Sequence, residues 1–199
     1  MSRFALILTL YIASSITLLG CNISTTPDGA FLKQLRAHCG EAFAGQIVTN
    51  DEADNDWRAQ RIVMHMRDCS DDEIKIALHV GENRSRTWIL RYEDMSDDTT
   101  RLALRHDHRH EDGSADSVTY YGGHAADIGP NRISFPADPS TKELFDRENI
   151  SVSKSNVWAL EHWPSNDVFV YEMTRPNRNF KIEFDTSKAV ETPPVPWGW

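Results

Sequence analysis

Hydrophobic and polar side chains alternate with a period of two residues along most of the chain between residues 43 and 185. Successive side chains of a β-strand point to opposite faces of a sheet, so this pattern predicts strands with one buried face. Turns rich in Gly, Pro, Asn and Asp separate them. We predict nine or ten strands, over residues 43–49, 61–69, 73–80, 86–93, 101–111, 117–121, 132–135, 156–163, 168–174 and 179–185.

One predicted helix precedes this pattern and a second interrupts it. Near the N-terminus, apolar residues at intervals of three and four predict a helix that begins at an N-cap, Asp28, and ends at Gly40. Residues 50–56 are predicted to form an acidic loop. A second, short helix is predicted to begin at Ser140, because Ser140 and Glu143 have the spacing of a capping box. We expect Phe145 of that helix to face the core.

Many short strands joined by short turns favour an antiparallel meander. Closing such a meander into a barrel removes its exposed edges, and small barrels can hold one ligand. We therefore predict a mainly β fold, a lipocalin-like barrel, with a two-sheet β-sandwich as the alternative. The 199-residue chain would hold one domain, residues 29–190, followed by an extended tail rich in Pro and Trp, residues 191–199.

The first twenty residues predict a secretory signal peptide, because a short basic start is followed by an apolar run without charge. The run ends in Leu18-Leu19-Gly20-Cys21, which resembles the lipobox of bacterial lipoproteins. That resemblance implies cleavage before Cys21 and lipids on Cys21, with residues 21–28 as lipidated cysteine and tether. Several acyl chains anchor a protein durably. The alternative is an ordinary cleaved signal with an incidental cysteine.

The residue after the lipobox cysteine bears on the membrane that receives the protein. In enterobacterial lipoproteins an Asp at this position favours retention in the inner membrane, and this chain has Asn22. We therefore expect an outer-membrane lipoprotein that faces the periplasm.

Two cysteines remain if Cys21 is lipidated, and the expected compartment is oxidising. We predict a disulfide between Cys39 and Cys69, which by chain entropy would add roughly 3–4 kcal/mol. Two buried free thiols are the alternative. A redox pair is disfavoured, because the chain has no Cys-x-x-Cys spacing.

The net charge of the chain and the absence of several motifs argue against some classes of function. The formal net charge is −9, which disfavours binding of nucleic acid through bulk electrostatics. The sequence contains no Gly-x-Ser-x-Gly elbow, phosphate loop, Rossmann glycine pattern or His-Glu-x-x-His helix. Well-known hydrolases and nucleotide enzymes are therefore disfavoured.

The nine residues from Arg105 to Gly113 contain three histidines, two arginines and three acids. Asp112-Gly113 predicts a tight hairpin turn, because both residue types tolerate positive φ. On the strand before the turn, leucines mark one face as the inner one. The histidines are thus predicted to run from the core to the barrel rim. The predicted inner face comprises Leu102, Leu104, His106, His108 and His110.

One interpretation of these histidines is a metal site. Imidazoles two residues apart on a strand can bind one ion together, and neutral imidazole suits Zn, Cu, Fe or Ni. His106 and His108 would be ligands, and a third ligand would come from His79, His124 or Glu111. A transition metal is therefore a candidate cofactor.

Two other interpretations need no metal. Histidine is the side chain most easily poised near neutral pH, so the stretch could form a pocket for acid–base chemistry or ligand binding. Alternatively, the histidines form a structural rim, hydrogen-bonded to acids such as Asp107 and Glu111. The sequence leaves all three interpretations open.

Residues outside the stretch add to the candidate site. Arg86 follows a turn and can bind an anionic ligand on which Trp88 can stack. The alternative for this pair is a strand-end salt bridge and a core position. Tyr121 is predicted to lie across the hairpin, within reach of an imidazole. Gly122-Gly123 is predicted to break the returning strand.

Several segments from residue 85 onward form a distinctive set. They are Ser85-Arg86-Thr87-Trp88, His106-Asp107-His108-Arg109-His110-Glu111-Asp112-Gly113, Tyr121-Gly122-Gly123, Phe135-Pro136-Ala137-Asp138, Asn156-Val157-Trp158 and Phe180-Lys181-Ile182-Glu183-Phe184-Asp185. In these segments the chain resembles a group of uncharacterised bacterial secreted proteins and lipoproteins. No activity is established for that group, so the resemblance implies no mechanism.

The sequence thus predicts a lipid-anchored envelope protein that binds a small ligand or an envelope partner at the barrel mouth, and no nucleic acid. One alternative is a metal-dependent enzyme with His106 and His108 as ligands and Glu111 as base. Another is a structural envelope lipoprotein. The predicted binding residues are His106, His108, His110 and Arg109, followed by Arg86 and Tyr121.

Overall fold

The computed structural model describes residues 26–199, so the predicted signal peptide and Cys21 lie outside the described residues. It contains three helices: α1 (Pro27–Arg36), α2 (Asn55–Arg58) and α3 (Pro139–Arg147). The strands are β1 (Ala42–Ile47), β2 (Ile62–Cys69), β3 (Glu73–Val80), β4 (Asn83–Asp94), β5 (Thr100–His108), β6 (Tyr121–His124), β7 (Arg132–Pro136), β8 (Val157–Trp163), β9 (Val168–Arg175) and β10 (Arg178–Asp185). Two 3-10 helices span Glu52–Asp54 and Ser151–Ser155.

The ten strands form one antiparallel sheet in the order β6-β5-β4-β3-β2-β1-β10-β9-β8-β7. Strands that are consecutive in sequence are paired, with the exception of β6 and β7, which form the two edges of the sheet. The first and the last strand, β1 and β10, are also paired. The sheet curls into a nearly closed barrel, which confirms the predicted mainly β fold and the meander. Within residues 26–199, no helix is long and apolar enough to cross a membrane.

The barrel closes at a seam between β6 and β7. Asp138 N donates to Gly122 O over 3.1 Å, and the Thr141 hydroxyl bonds both the amide and the carbonyl of Gly122. At Gly123, an added Cβ would lie 1.8 Å from the Pro136 oxygen. The prediction that Gly122-Gly123 breaks a strand is wrong: both glycines lie inside β6, where they let two backbones approach closely.

Helix α1 closes one end of the barrel with the buried side chains of Phe31 and Leu35. Its N-cap is Thr26 rather than the predicted Asp28, and its last residue is Arg36, before the predicted end. The Thr26 hydroxyl accepts a hydrogen bond from Gly29 N over 3.3 Å. The Asp28 carboxylate instead accepts one from the Tyr92 hydroxyl over 3.0 Å, which fastens the helix to β4.

The predicted disulfide is present. Cys39 and Cys69 are bonded, with their Cα atoms 6.1 Å apart. The bond joins the turn after α1 to the end of β2. It therefore links the end cap to the barrel wall.

Two further elements begin at other residues than predicted. Asp138, not Ser140, is the N-cap of α3, because its carboxylate accepts a hydrogen bond from Thr141 N over 2.8 Å. The region predicted as an acidic loop contains a 3-10 helix capped by Asp51, followed by α2. This places Trp57 of α2 against the ring of Phe180, with ring centroids 5.6 Å apart.

The hairpin after β5 is wider than predicted. A turn does form at Asp112-Gly113, but β5 ends at His108 rather than at Glu111, and the returning strand starts only at Tyr121. Backbone pairing continues for a few residues, since His110 N donates to Ser114 O over 2.9 Å and Asp116 N to His108 O over 3.0 Å. Thr119 Oγ1 in addition accepts from His108 N over 2.8 Å. A loop rather than a regular strand therefore joins the turn to β6.

The C-terminal tail lies across the outer face of β3 and β4. Trp197 N donates to Arg84 O over 3.1 Å, and Arg84 Nη1 donates to Val195 O over 3.1 Å. The Lys75 ammonium lies 4.2 Å from the centre of a Trp199 ring. These contacts hold residues 195–199 against the sheet.

Candidate functional site

At the end of the barrel opposite α1, polar side chains from neighbouring strands meet on the inner face. In the strand register, Arg86 of β4 lies opposite His108 of β5, and Trp88 lies opposite His106. His106 in turn lies opposite Tyr121 of β6. We call the group Arg86, His106, His108, Tyr121 and Tyr171 the mouth cluster.

His106 is the deepest member of the mouth cluster and is only 2% exposed. Its Nδ1 lies 3.2 Å from the Tyr121 carbonyl oxygen, which can only accept, so Nδ1 carries the proton. Its Nε2 lies 2.9 Å from the Tyr171 hydroxyl, from which it accepts. Burial, followed by repulsion from His108, lowers the pKa of His106 to about 3. His106 is therefore a neutral, fully bonded side chain that fixes two tyrosines.

His108 lies nearer the opening and is partly exposed. Its Nε2 is 3.2 Å from the Tyr121 hydroxyl, as the sequence predicted for a tyrosine across the hairpin. Burial, followed by the charge of Arg86, lowers the pKa of His108 to about 4. Burial also raises the pKa of Tyr121. Both side chains are neutral near pH 7 and face the same space as the Arg86 charge.

Arg86 is the cation of the mouth cluster. Its Nη1 donates to Asn83 Oδ1 and to Ser85 Oγ, each over 3.0 Å, and its guanidinium lies 4.7 Å from the centre of a Trp57 ring. Within the described part of the chain, Arg86 forms no ion pair with a carboxylate, so a strand-end salt bridge is not what holds it. Burial lowers the pKa of Arg86. The hydrogen-bond partners of this partly desolvated charge are neutral, and a compensating carboxylate, Asp116, acts on it without direct contact.

These side chains surround a small cavity of about 80 Å³. Trp57, Trp88, Tyr171 and Phe180 contribute its aromatic walls, whereas Arg86 and the two histidines contribute the polar groups. The Trp88 and Tyr171 rings are stacked, with centroids 4.2 Å apart. The cavity thus offers one cation and neutral hydrogen-bonding groups between flat apolar surfaces.

A second cavity of about 180 Å³ adjoins the first, since Tyr121, Tyr171 and Phe180 line both. Its other lining residues are mainly apolar and come from the loop before β6, from α3 and from β9; Val118, Phe145 and Met173 are examples. A ligand with an anionic group at Arg86 would therefore find apolar surface for the rest of its body.

The sequence singled out some residues that lie elsewhere. Arg109 is on the outer side of the hairpin, where its Nε lies 3.0 Å from both carboxylate oxygens of the buried Asp107. His110 follows the end of β5 and is exposed, not on the inner face as predicted. Glu111 is also exposed, in the turn. Of the six predicted binding residues, only His106, His108, Arg86 and Tyr121 come together.

The third ligands expected for a metal site are not beside His106 and His108. His79 lines a different cavity, and His124 lies 3.0 Å from Glu93 Oε2 in another ionic group. Across residues 26–199, no three His, Cys, Asp or Glu side chains are grouped so that they could hold a metal ion. The geometry therefore gives the predicted metal pair no third protein ligand.

Two contributors to the site were missed at the sequence level. Trp57 lies just after a segment predicted as a loop, and a lone tryptophan among acidic residues was its only signal. Tyr171 occupies an inward position of β9, which the alternation of that strand indicates, but nothing in the sequence pairs it with His106.

In comparisons with known proteins, no family model, no curated protein and no solved structure matches this chain.

Proposed function

We propose that this protein binds a small anionic ligand at the barrel mouth, with Arg86 as the charged contact. The observation that carries the proposal is that Arg86 is half-buried beside Trp57 and is bonded only to neutral groups. A buried charge is normally paired with an opposite charge. An anion such as a carboxylate would supply that charge and match the guanidinium fork.

The other members of the mouth cluster select and orient this ligand. His108 and Tyr121 are neutral hydrogen-bonding groups beside the cation. His106 does not need to touch the ligand, since both its ring nitrogens are bonded to tyrosines. The adjoining cavity of about 180 Å³ favours ligands with a short apolar body. Binding pockets are commonly apolar with a few well-placed polar groups.

The test is calorimetric titration of the full chain in non-ionic detergent. The ligands are carboxylates of increasing chain length, from acetate to hexanoate, and each is compared with its primary amide. We expect each acid to bind at least roughly tenfold more tightly than its amide, with affinity rising along the series. Arg86→Gln should abolish the difference between acid and amide, whereas His110→Gln should preserve it. Equal affinities for acid and amide in the unmodified chain would refute the proposal.

We also propose that Cys21 carries the lipid anchor of an outer-membrane lipoprotein that faces the periplasm. The sequence Leu18-Leu19-Gly20-Cys21 after an apolar run supports this proposal. Mass spectrometry of the chain recovered from bacterial membranes should find a diacylglycerol thioether and an acylated amine on Cys21. Cys21→Ser should leave the signal peptide uncleaved. An N-terminal residue other than Cys21 in the mature chain would contradict the anchor.

A further inference from the structure

A separate cavity of about 160 Å³ lies on the outer side of the barrel wall, between the sheet and the C-terminal tail. Pro193 and Pro194 of the tail form one side of it. The opposite side consists of residues at the start of β2, from β3, and from the turn into β4 and the first residues of β4. The cavity shares no lining residue with the mouth cavity, and the proposed function does not involve it. We call it the tail cavity.

An irregularity of the sheet brings an arginine into the tail cavity. Between β3 and β4 the register shifts, so that Arg84 and Ser85 together stand opposite the single residue His79. In a regular strand, Arg84 and Arg86 would share a face. The bulge lets Arg84 line the outer cavity while Arg86 lines the inner one. Bulges of this kind commonly redirect a side chain next to a functional site.

His79 forms the floor of the tail cavity and is only 4% exposed. Its Nε2 atom is buried and has no hydrogen-bond partner within residues 26–199. Buried polar atoms nearly always have a partner, so one that lacks a protein partner calls for an explanation, of which a bound water or ion is one. The missing partner of His79 Nε2 points to a ligand independently of the arginines beside it.

Charge at the tail cavity favours an anion, although the chain as a whole is acidic. Arg61 and Arg84 contribute two positive charges, and the exposed Glu82 contributes the one carboxylate of its lining. Neither arginine forms an ion pair anywhere in the described part of the chain. Arg84 uses one nitrogen to hold Val195 O, which leaves its other donors unassigned.

We propose that the tail cavity binds a tetrahedral oxyanion, a phosphate or sulfate group, between Arg61, Arg84 and His79. Guanidinium groups match the oxygens of such ions with parallel hydrogen bonds. The volume of about 160 Å³ is several times the share of one water molecule, about 30 Å³, so a five-atom ion fits. The imidazole of His79 is placed to donate to the same ion, which would supply its missing partner.

Sulfate is the first probe, because its charge is constant around neutral pH. Calorimetric titration of the full chain in non-ionic detergent, at ionic strength held constant with sodium chloride, should reveal one saturable site. Arg61→Gln should weaken that site at least roughly tenfold. Arg101→Gln, which removes an exposed arginine paired only with Asp97 on another part of the wall, should leave the affinity unchanged.

The ring nitrogen resonances of His79 give a second readout. They should shift on addition of sulfate to the unmodified chain and to Arg101→Gln, but not to Arg61→Gln. The proposal fails if the unmodified chain shows no saturable sulfate binding, or if Arg61→Gln binds sulfate equally well. It also fails if Arg86→Gln removes the binding instead, since the ion would then occupy the mouth cavity.

Two further probes identify the source of the oxyanion. Inorganic phosphate and glycerol 3-phosphate carry the same group, free or as an ester. Binding of inorganic phosphate with exclusion of the ester would support a free ion beneath the tail. Equal binding of both would mean that the natural ligand is the phosphate group of a larger molecule, whose remainder extends out of the cavity between the tail and the sheet.

Discussion

Arg84 and Arg86 lie two residues apart on β4, yet their side chains enter cavities on opposite sides of the barrel wall. The bulge opposite His79 separates them. One short stretch of strand therefore supplies the cation of the mouth cluster and a cation of the tail cavity. Because the lining residues differ, a substitution at one arginine tests one cavity without removing a side chain from the other.

Acidification should destabilise this fold well before its carboxylates are protonated. Buried histidines have lower pKa values in the folded chain than in the unfolded chain, so the unfolded chain binds more protons below about pH 6.5. Their contribution to stability is complete above that pH and is lost as the pH falls. Burial lowers the pKa of His106 to about 3, and those of His79, His108 and His162 to about 4.

Each such histidine changes the free energy of unfolding by about 1.4 kcal/mol per pH unit within its window. Urea denaturation should therefore show a loss of several kcal/mol between about pH 6.5 and about pH 4.5. The dependence should be shallower in His106→Gln and unchanged in His110→Gln, since His110 is exposed. A denaturation midpoint that stays constant over this pH range would contradict the burial of these imidazoles.

The Tyr171 hydroxyl should contribute measurably to stability through His106. Tyr171→Phe keeps the ring that stacks on Trp88 but leaves the buried Nε2 of His106 without a partner. We expect a loss of about 1–3 kcal/mol in the free energy of unfolding. Tyr120→Phe removes the hydroxyl of an exposed tyrosine and should cost less than about 0.5 kcal/mol. Equal effects of the two substitutions would argue against the His106–Tyr171 hydrogen bond.

An ionic group outside the barrel should be a second major source of stability. Arg105 bonds both Glu93 and Asp138, and its side chain is only 9% exposed. Burial alone would raise the pKa of Glu93, but the hydrogen bonds and charges of Arg105 and Arg91 lower it to about 2. Arg105→Met removes the cation that Glu93 and Asp138 share and leaves Glu93 only its more exposed pair with Arg91, at an expected cost of up to about 3–5 kcal/mol.

Arg101 provides the matched control, because it lies on the same strand and its pair with Asp97 is exposed. Arg101→Met should change the free energy of unfolding by less than about 0.5 kcal/mol near neutral pH. The cost of Arg105→Met should shrink as the pH falls from about 4.5 toward 2, because Glu93 is then protonated in the unfolded chain and the pairing with Arg105 no longer favours the folded chain as strongly. A cost that is independent of pH would indicate lost packing rather than lost pairing.

The seam should not tolerate a side chain at Gly123. A Cβ there would lie 1.8 Å from the Pro136 oxygen, so β6 and β7 would have to separate. We expect Gly123→Ala to cost at least about 2 kcal/mol and to speed amide hydrogen exchange at β6. Gly129→Ala, whose nearest contact would be 3.3 Å, should cost clearly less. Normal stability of Gly123→Ala would mean that the strands do not approach this closely.

Alternation predicted the regular part of the barrel well, because a single buried face imposes a strict period on the sequence. The predicted strand 73–80 coincides with β3, and 61–69 differs from β2 by one residue. The alternation also placed His106 and His108 on the inner face. The meander, and with it the confirmed barrel, followed from the regular spacing of strands and turns.

Elements that depend on distant partners were predicted less well. The role of Gly123 is set by Pro136, which lies on the other edge of the sheet. The hairpin loop is held by irregular backbone bonds and by side-chain hydrogen bonds such as that of Thr119, which leave no periodic pattern. Trp57 belongs to the mouth only because α2 packs on β10 through Phe180. Local sequence patterns do not encode such contacts.

The position of α1 bears on whether the mouth would face the bilayer or the aqueous phase. Asp28 of α1 bonds Tyr92, whereas Arg86 lies six residues earlier on the same strand, about 20 Å away along that strand. With the proposed lipids on Cys21, the six residues to Pro27 can reach at most about 22 Å. Such an anchor would hold the α1 end near the bilayer, and the mouth would open away from it. A ligand for this mouth would arrive from the aqueous phase rather than by lateral diffusion in the lipid.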